Sequence, residues 1–317
     1  MRIVYMGTPE FAVPPLQALI DSGYEIVGVF TQPDRPAGRG NKLTACPVKQ
    51  LAVRHNLPVY QFEKIRRREG REALEALHPD LMVTAAFGQI LSQRILDIPP
   101  LGTVNVHASL LPGYRGPAPI NWCIALGEKT TGVTTMFTDA GVDTGDIALK
   151  AETPIGDMET AGELTERLSH MGAALLIETL HRIEAGDCPR IKQDEALMSR
   201  QPMLSREDGL IDWTQSAREI ACRVRGFNPW PGTFTYLSDG GVMKIWLARA
   251  VDMENSGQPG EVIESSAKKG LFVACGEGVL EIIEMQAPGS KRMNAKAYLM
   301  GKPLPVGTIF NRERITQ

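Results

Sequence analysis

Long apolar runs are missing from this chain: its 317 residues contain no stretch of about 18 consecutive apolar residues, the length a helix needs to cross a bilayer. Cysteine is scarce. Cys46, Cys123, Cys188, Cys222 and Cys275 are odd in number, widely scattered and without a CxxC pair. That spacing excludes a disulfide framework and a zinc knuckle and predicts reduced thiols, most of them in the core. The five histidines are isolated as well. With no HExxH and no acidic cluster at ligand spacing, no metal is expected. Gly7-Thr8-Pro9 follows the first apolar run but lacks GxGxxG spacing, which argues against a dinucleotide site, and no GxSxG nucleophile elbow is present. The opening MRIVYMGTPEF enters a strand-like run without a charged leader and cleavage site, so the cytoplasm is the expected compartment. A net charge of only -3 gives no bulk attraction to nucleic acid.

What is present is ordinary for a globular protein, with 43% hydrophobic and 22% charged residues, and a length that suggests two domains. The first half alternates strand-like and helical patterns. RIVYM, EIVGVF, DLMVTAA and GTVNVHA read as strands, and helices are expected from about Pro9 to Ser22, near Pro47 to His55 and near Arg66 to Leu77. Such alternation predicts an α/β domain of βαβ units around a Rossmann-like parallel sheet. After Gly116, a helix in PAPINWCIALG, strands in TGVTTMFTD and DIALKAETPI, and a long helix from Thr160 to Ala185 complete it. Neither period holds from Cys188 to Arg206, which reads as a linker. Beyond it, a helix in SAREIACRVRGF precedes short runs such as TFTYL, VMKIWLARAV, GEVIES, GLFVACG and GVLEIIEMQA, separated by Gly-rich turns. These suggest a small barrel or sandwich.

Charge is unevenly distributed. From Met285 to the end, Lys291, Arg292, Lys296, Lys302, Arg312 and Arg314 face one acidic residue, Glu313, making that end a candidate reader of an anionic surface. The loop TQPDRPAGRGNKL, Thr31 to Leu43, holds Arg35, Arg39 and Lys42 against Asp34. By contrast, Lys64, Arg66, Arg67, Arg68 and Arg71 alternate with glutamates and read as an exposed helix face.

The most informative stretch is VNVHASLLPGYRG, Val104 to Gly116. Asn105 and His107 are two apart, so in a strand they share a face while Val104, Val106 and Ala108 pack on the other. At the carboxyl end of a parallel strand they lie where open α/β sheets bind ligands. Asp139, Asp143 and Asp146 sit among glycines in FTDAGVDTGDI and could supply a carboxylate. An amide can donate to a developing oxyanion, and a carboxylate can fix the tautomer of an imidazole and favour its charged form. Without a Ser or Cys nucleophile, the set suits direct attack of a substrate amine on a carbonyl with acid and base assistance.

Asn105, His107, SLLP at Ser109 to Pro112, Tyr114-Arg115-Gly116 and GVDTGDI at Gly141 to Ile147 resemble the signature of the folate-dependent formyltransferases. MGTPEFAVPPL, TQPDRPAGRG and FNPWPG extend the resemblance over essentially the whole chain, to the branch that formylates aminoacyl-tRNA. The resemblance implies a formyltransferase domain over 1–188, a linker over 189–206 and an OB-like tRNA-binding barrel over 207–317. It implies transfer of the formyl group of 10-formyltetrahydrofolate to the free amino group of methionyl-initiator tRNA by a monomer. Asn105 and protonated His107 are then expected to stabilise the oxyanion, with Asp143 orienting and charging His107 and relaying a proton to the leaving nitrogen. The backbone of Ser109, Leu110, Leu111 and Pro112, with Phe87 and Gly88, is expected to line the folate through free N–H and C=O groups. Arg39, with Arg35 and Lys42, is expected to enter the acceptor stem, and Lys291 and Arg292 to meet phosphates. Two rivals share this plan, a sugar-nucleotide formyltransferase and a catalytically idle RNA-binding relative; the basic first loop argues against the former, the intact Asn105, His107 and Asp143 against the latter.

Overall fold

The structure is a computed structural model that describes residues 1–37 and 42–313. It divides into two compact units that are not consecutive in sequence. One comprises Met1–Pro119, Thr130–Thr153 and Thr165–Gln201; the other comprises Ile120–Lys129, Pro154–Leu164 and the chain from Pro202 onward.

In chain order, the elements up to residue 185 are β1 (Arg2–Gly7), α1 (Val13–Asp21), β2 (Glu25–Thr31), β3 (Arg35–Ala37), β4 (Lys42–Thr44), α2 (Pro47–Arg54), β5 (Val59–Gln61), α3 (Arg68–Glu75), β6 (Leu81–Ala85), α4 (Gln93–Leu96), β7 (Thr103–His107), α5 (Pro119–Ala125), β8 (Thr130–Phe137), β9 (Ile147–Pro154) and α6 (Ala161–Ala185). Seven strands form one sheet in the order β5-β2-β1-β6-β7-β8-β9. The pairs from β5 to β7 are parallel, whereas β8 runs antiparallel to β7, with Asn105 opposite Met136 and His107 opposite Thr134. The Rossmann-like parallel sheet expected from the alternation is there from β5 to β7, and the antiparallel β8 makes the whole sheet mixed. A parallel neighbour needs a crossover laid across the sheet. The short α5, the only helix between β7 and β8 in the described residues, belongs from Ile120 onward to the other unit, so the chain returns in the opposite direction.

Burial follows the pleat. Val4, Met6, Phe30, Met82 and Phe87 form one core with Ile65, Leu74 and Ile95. Against β7 and β8, α6 turns Leu168, Gly172, Leu175, Leu176, Thr179 and Leu180 inward, a period-3.6 stripe in which Leu168, Leu176 and Leu180 are fully buried. A Cβ on Gly172 would come 2.7 Å from Val106 Cγ1, so the bare Cα lets the helix approach β7 closely. Thr179 and Thr135 satisfy each other's buried hydroxyls at 2.7 Å. The basic first loop contains a two-stranded ribbon, β3 paired with β4.

That ribbon stands on a polar cluster. Asp34 Oδ2 accepts from Lys49 Nζ at 2.6 Å and Oδ1 from Gln61 Nε2 at 2.9 Å, which holds the Asp34 carboxyl below the usual carboxylate range. A depressed folded-state pKa gives a contribution present above the unfolded value, near 3.9, and lost as pH falls through the folded one. Asp34→Asn is thus expected to unfold more readily than the parent at neutral pH. The difference should shrink in acid unfolding curves as pH falls below the unfolded value, near 3.9, and through the folded one; curves offset equally at all pH values would contradict the sign.

The second unit adds α7 (Ala217–Gly226), β10 (Thr233–Tyr236), β11 (Val242–Val251), β12 (Val262–Ser266), β13 (Gly270–Ala274), β14 (Val279–Gln286), β15 (Met293–Asn294) and α8 (Ala295–Gly301). Ser216 and Glu219 form a reciprocal capping box at the start of α7, satisfying donors that the first helical turn leaves free. The strands form an antiparallel sheet, β10-β11-β14-β13-β12, with β15 on β14. The sheet's ends are tied: Asn311 exchanges backbone bonds with Tyr236 on β10, and Ile309 bridges Glu261 just before β12. The closure gives a small barrel with Ile245, Val262, Leu271, Leu280 and Met285 inside it. Cys275 lies in this core, where burial pushes its thiol up to about 12, and all five cysteines are free. In FNPWPG, Phe227 is buried and meets Trp122 edge-on at 5.6 Å, while Trp230 is half exposed.

Candidate active site

The pleat places Asn105 and His107 on one face of β7, with Val104, Val106 and Ala108 buried, as alternation requires. Thr84 on the adjacent β6 is in register with Asn105, and its hydroxyl donates to Asn105 Oδ1 at 2.8 Å. With the acceptor end of the amide engaged, Nδ2 is the end available to donate.

His107 ends β7 and is almost fully buried. Its Nε2 lies 3.2 Å from the Tyr114 carbonyl, which can only accept, so that nitrogen carries a hydrogen. Its Nδ1 faces Asp143 Oδ1 at 3.7 Å, an ion-pair separation rather than a hydrogen bond. Both ring nitrogens thus already face protein oxygens, and an incoming group must compete with Tyr114 for Nε2. Asp143 Oδ2 accepts from the Gly116 N–H at 2.9 Å, linking its loop to the turn that carries Tyr114. Asp143 itself has φ +55°, a left-handed backbone uncommon outside glycine. Asp139 instead holds Gly141 N and Thr144 Oγ1 within the loop, and Asp146 pairs with Lys192 at 2.9 Å. Of the three aspartates, Asp143 is the one whose carboxylate faces the imidazole.

The turn after β7 is braced from inside the sheet. Thr134 Oγ1 donates to the Ser109 carbonyl at 2.6 Å and accepts from Leu111 N at 3.1 Å. Lys150 Nζ donates to the Leu111 carbonyl. Leu110 and Pro112 carbonyls accept from Gly113 N and Ser199 N. Each of the four carbonyls expected to be free for a ligand therefore already accepts one bond, leaving second lone pairs and the remaining N–H groups. Leu111 packs with Met136 and Ile147. Phe87 is buried, and Gln32 Nε2 donates to the carbonyls of both Phe87 and Gly88 at 3.2 and 3.1 Å.

The described residues expected to meet RNA fall in both units. Arg35 pairs with Glu63 at 2.7 Å on an exposed surface, and Lys42 lies on β4. Arg39 lies outside the described residues. In the other unit, Arg292 bonds Glu284 and stands 5.3 Å over the Trp246 ring, next to exposed Lys291. No group of three or more His, Cys, Asp or Glu among the described residues could hold a metal ion, and no described helix is long and apolar enough to cross a membrane.

Sequence reasoning missed Thr84, Thr134, Lys150, Gln193 and Ser199, which position the site. Thr84 was within reach: a buried threonine at the end of one strand beside the next strand's asparagine. Thr134 lies in the middle of β8, Lys150 on the last strand β9, and Gln193 and Ser199 in the expected linker, where spacing carries no signal.

An open sheet with an amide, an imidazole and a carboxylate at the carboxyl end of an interior strand suits group transfer at a carbonyl, and the sequence families agree. Residues 1–180 match the formyl transferase family and residues 203–303 the formyl transferase C-terminal domain; the chain belongs to the formyltransferases. Within that class it is similar over nearly its whole length to methionyl-tRNA formyltransferases. That of Alkaliphilus oremlandii is 50% identical over 310 residues, covering 98% of this chain and 99% of the relative. That of Citrifermentans bemidjiense is 50% identical over 313 residues, covering 99% and 97%. Among solved structures, the sugar 3N-formyl transferase WlaRD, in the presence of dTDP and 5-N-formyl-THF, has a TM-score of 0.68 at 19% identity, covering 92% of this chain and 99% of that one. HypX from Aquifex aeolicus in complex with tetrahydrofolic acid has a TM-score of 0.61 at 19% identity. The match covers 94% of this chain but 47% of HypX, and at these identities both likenesses are of fold.

Proposed function

We propose that this chain transfers the formyl group of 10-formyltetrahydrofolate to the free amino group of methionyl-initiator tRNA, acting as a monomer. The observation that carries the reading is the convergence of His107 and Asp143 beside Asn105 at the carboxyl end of β7, in a chain half identical over nearly its full length to methionyl-tRNA formyltransferases. The amine attacks the formyl carbon, and the carbonyl oxygen gains charge. Asn105 Nδ2 donates to it, joined by the His107 Nε2 hydrogen once that exchanges Tyr114 for the oxyanion. Collapse reforms the C=O bond and breaks the bond from the formyl carbon to folate N10. The proton lost by the attacking amine passes by way of Asp143, through His107 or a water, to N10, which leaves as an amine.

Ser109 to Pro112, with Phe87 and Gly88, form the folate wall in this reading. Arg35, Arg39 and Lys42 engage the acceptor stem, whose end opens cheaply where the terminal pair is weak. Lys291 and Arg292 contribute phosphate contacts. A formylation assay separates the readings. With 10-formyltetrahydrofolate, charged initiator tRNA is expected to be formylated far faster than charged elongator tRNA or an amino-sugar nucleotide, with the rate falling steeply as salt rises. Preference for the amino sugar would assign a sugar-nucleotide formyltransferase; no transfer to any acceptor would leave an idle RNA binder.

A further inference from the structure

Behind the catalytic group lies a side chain whose hydrogen bonds are all spent on the two loops that build it. Gln193 Nε2 donates to the carbonyls of Asp143 at 2.9 Å and Gly145 at 2.8 Å. Its Oε1 accepts from Arg115 Nε at 3.0 Å and Nη2 at 2.8 Å. Two donors and two acceptor positions are thus filled, a pattern that only a carboxamide can satisfy. The orientation of the amide is settled by its neighbours, since carbonyls cannot donate and a guanidinium cannot accept.

Each partner leads to the chemistry. Asp143 is left-handed, a conformation that persists only where the surroundings over-determine it, and Gln193 grips its carbonyl and that of the residue two further on. Arg115 is buried in the turn that supplies the Tyr114 carbonyl to His107 and the Gly116 N–H to Asp143. Its Nη2 and Nη1 also donate to Glu195, two residues after Gln193, at 2.7 and 3.1 Å, and that guanidinium holds the Glu195 carboxyl below the usual range. The segment carrying both residues, which enters a short 3-10 turn at Glu195, is itself fastened. Ile191 exchanges backbone bonds with Ile147, and Ser199 receives the N–H groups of Tyr114 and Arg115. All of these residues lie in the first unit.

We propose that Gln193 is a positioning residue for the transfer reaction: by clamping the carbonyls on either side of the Asp143 loop's last bend, it aims the Asp143 carboxylate at His107 Nδ1. The proposal rests on the role assigned to Asp143 in the proposed function. Displacements of about 1 Å at a reacting group cost up to about a hundredfold in rate, and losing a residue that orients a catalytic group typically costs roughly ten- to a hundredfold.

The test uses the full chain with 10-formyltetrahydrofolate and charged initiator tRNA. Gln193→Ala removes both halves of the clamp. Gln193→Glu keeps an acceptor for Arg115 but replaces the donor with an oxygen facing two carbonyls. Both are expected to lower kcat by roughly ten- to a hundredfold, with KM for the folate within about twofold. In an Asp143→Asn background the same substitutions are expected to cost less than about threefold, because residues that act as one unit are not additive. Full kcat in folded Gln193→Glu, or equal losses in both backgrounds, would overturn the proposal while leaving Asp143's role intact. Full kcat in Asp143→Asn would instead remove the reading beneath it, and the proposal with it.

Discussion

Replacing Asn105 with alanine is expected to lower kcat by roughly a hundred- to a thousandfold, about 3 to 4 kcal/mol of transition-state stabilisation, with little change in folate KM. Asn105 is half-buried on β7, and Thr84 occupies its acceptor end, so Nδ2 is held in one direction before substrate arrives. A donor fixed in advance costs no reorganisation when charge develops on the formyl oxygen. Asn105→Asp is expected to be as slow, since a carboxylate has no hydrogen to give; Thr84→Val, which loosens the amide without removing it, should cost far less. Single-turnover formylation measures all three. Near-normal turnover in folded Asn105→Ala would show that the oxyanion is stabilised elsewhere.

The second large effect is expected at Gly145. A Cβ placed there would lie 1.7 Å from the Phe137 carbonyl oxygen and 3.3 Å from Asp139 N, backbone atoms that cannot swing aside. Phe137 N is bonded to the Asp146 carbonyl at 2.8 Å, so the loop's two ends are already closed against each other. Gly145→Ala therefore forces the loop outward and carries Asp143 with it. The expected outcome is a loss of roughly 1 to 3 kcal/mol in denaturant unfolding, together with a fall in kcat larger than the destabilisation explains, because Gln193 loses its grip on the Gly145 carbonyl. By contrast Gly186→Ala, where φ is +75° but nothing lies within 4 Å, should cost stability alone. Equal turnover in folded Gly145→Ala and the parent would separate the loop's shape from catalysis.

Much of this was legible beforehand, for identifiable reasons. Strands β1, β2, β6 and β7 are dense apolar runs bounded by turns, and the i, i+2 relation put Asn105 and His107 on one face without knowledge of the fold. The direction of β8 was not legible, because direction depends on where a connecting helix packs, and PINWCIA is apolar whichever core receives it. Nor was the part played by residues 190–200. Gln193 and Ser199 act through backbone groups of distant loops, and a polar segment that folds against another loop has no period of its own. The basic residues divide: Arg68 bonds Glu72 at 2.6 Å along an exposed helix, as alternation of charge implied, whereas Arg292 is engaged by Glu284 and Trp246.

No single cut in this polypeptide separates its two bodies. Trp122, which meets Phe227, and Gly156 and Glu159, whose carbonyls accept from buried Arg225, are encoded among the residues of the first body yet belong to the second. A fragment stopped anywhere between residues 188 and 202 would retain these stretches without their partners, and the matching C-terminal fragment would lack part of its own interior. The first body is fully encoded by Gln201, whereas the second reaches completion only when the chain from Pro202 onward has been made, so two of its stretches wait in the nascent chain for partners encoded after them.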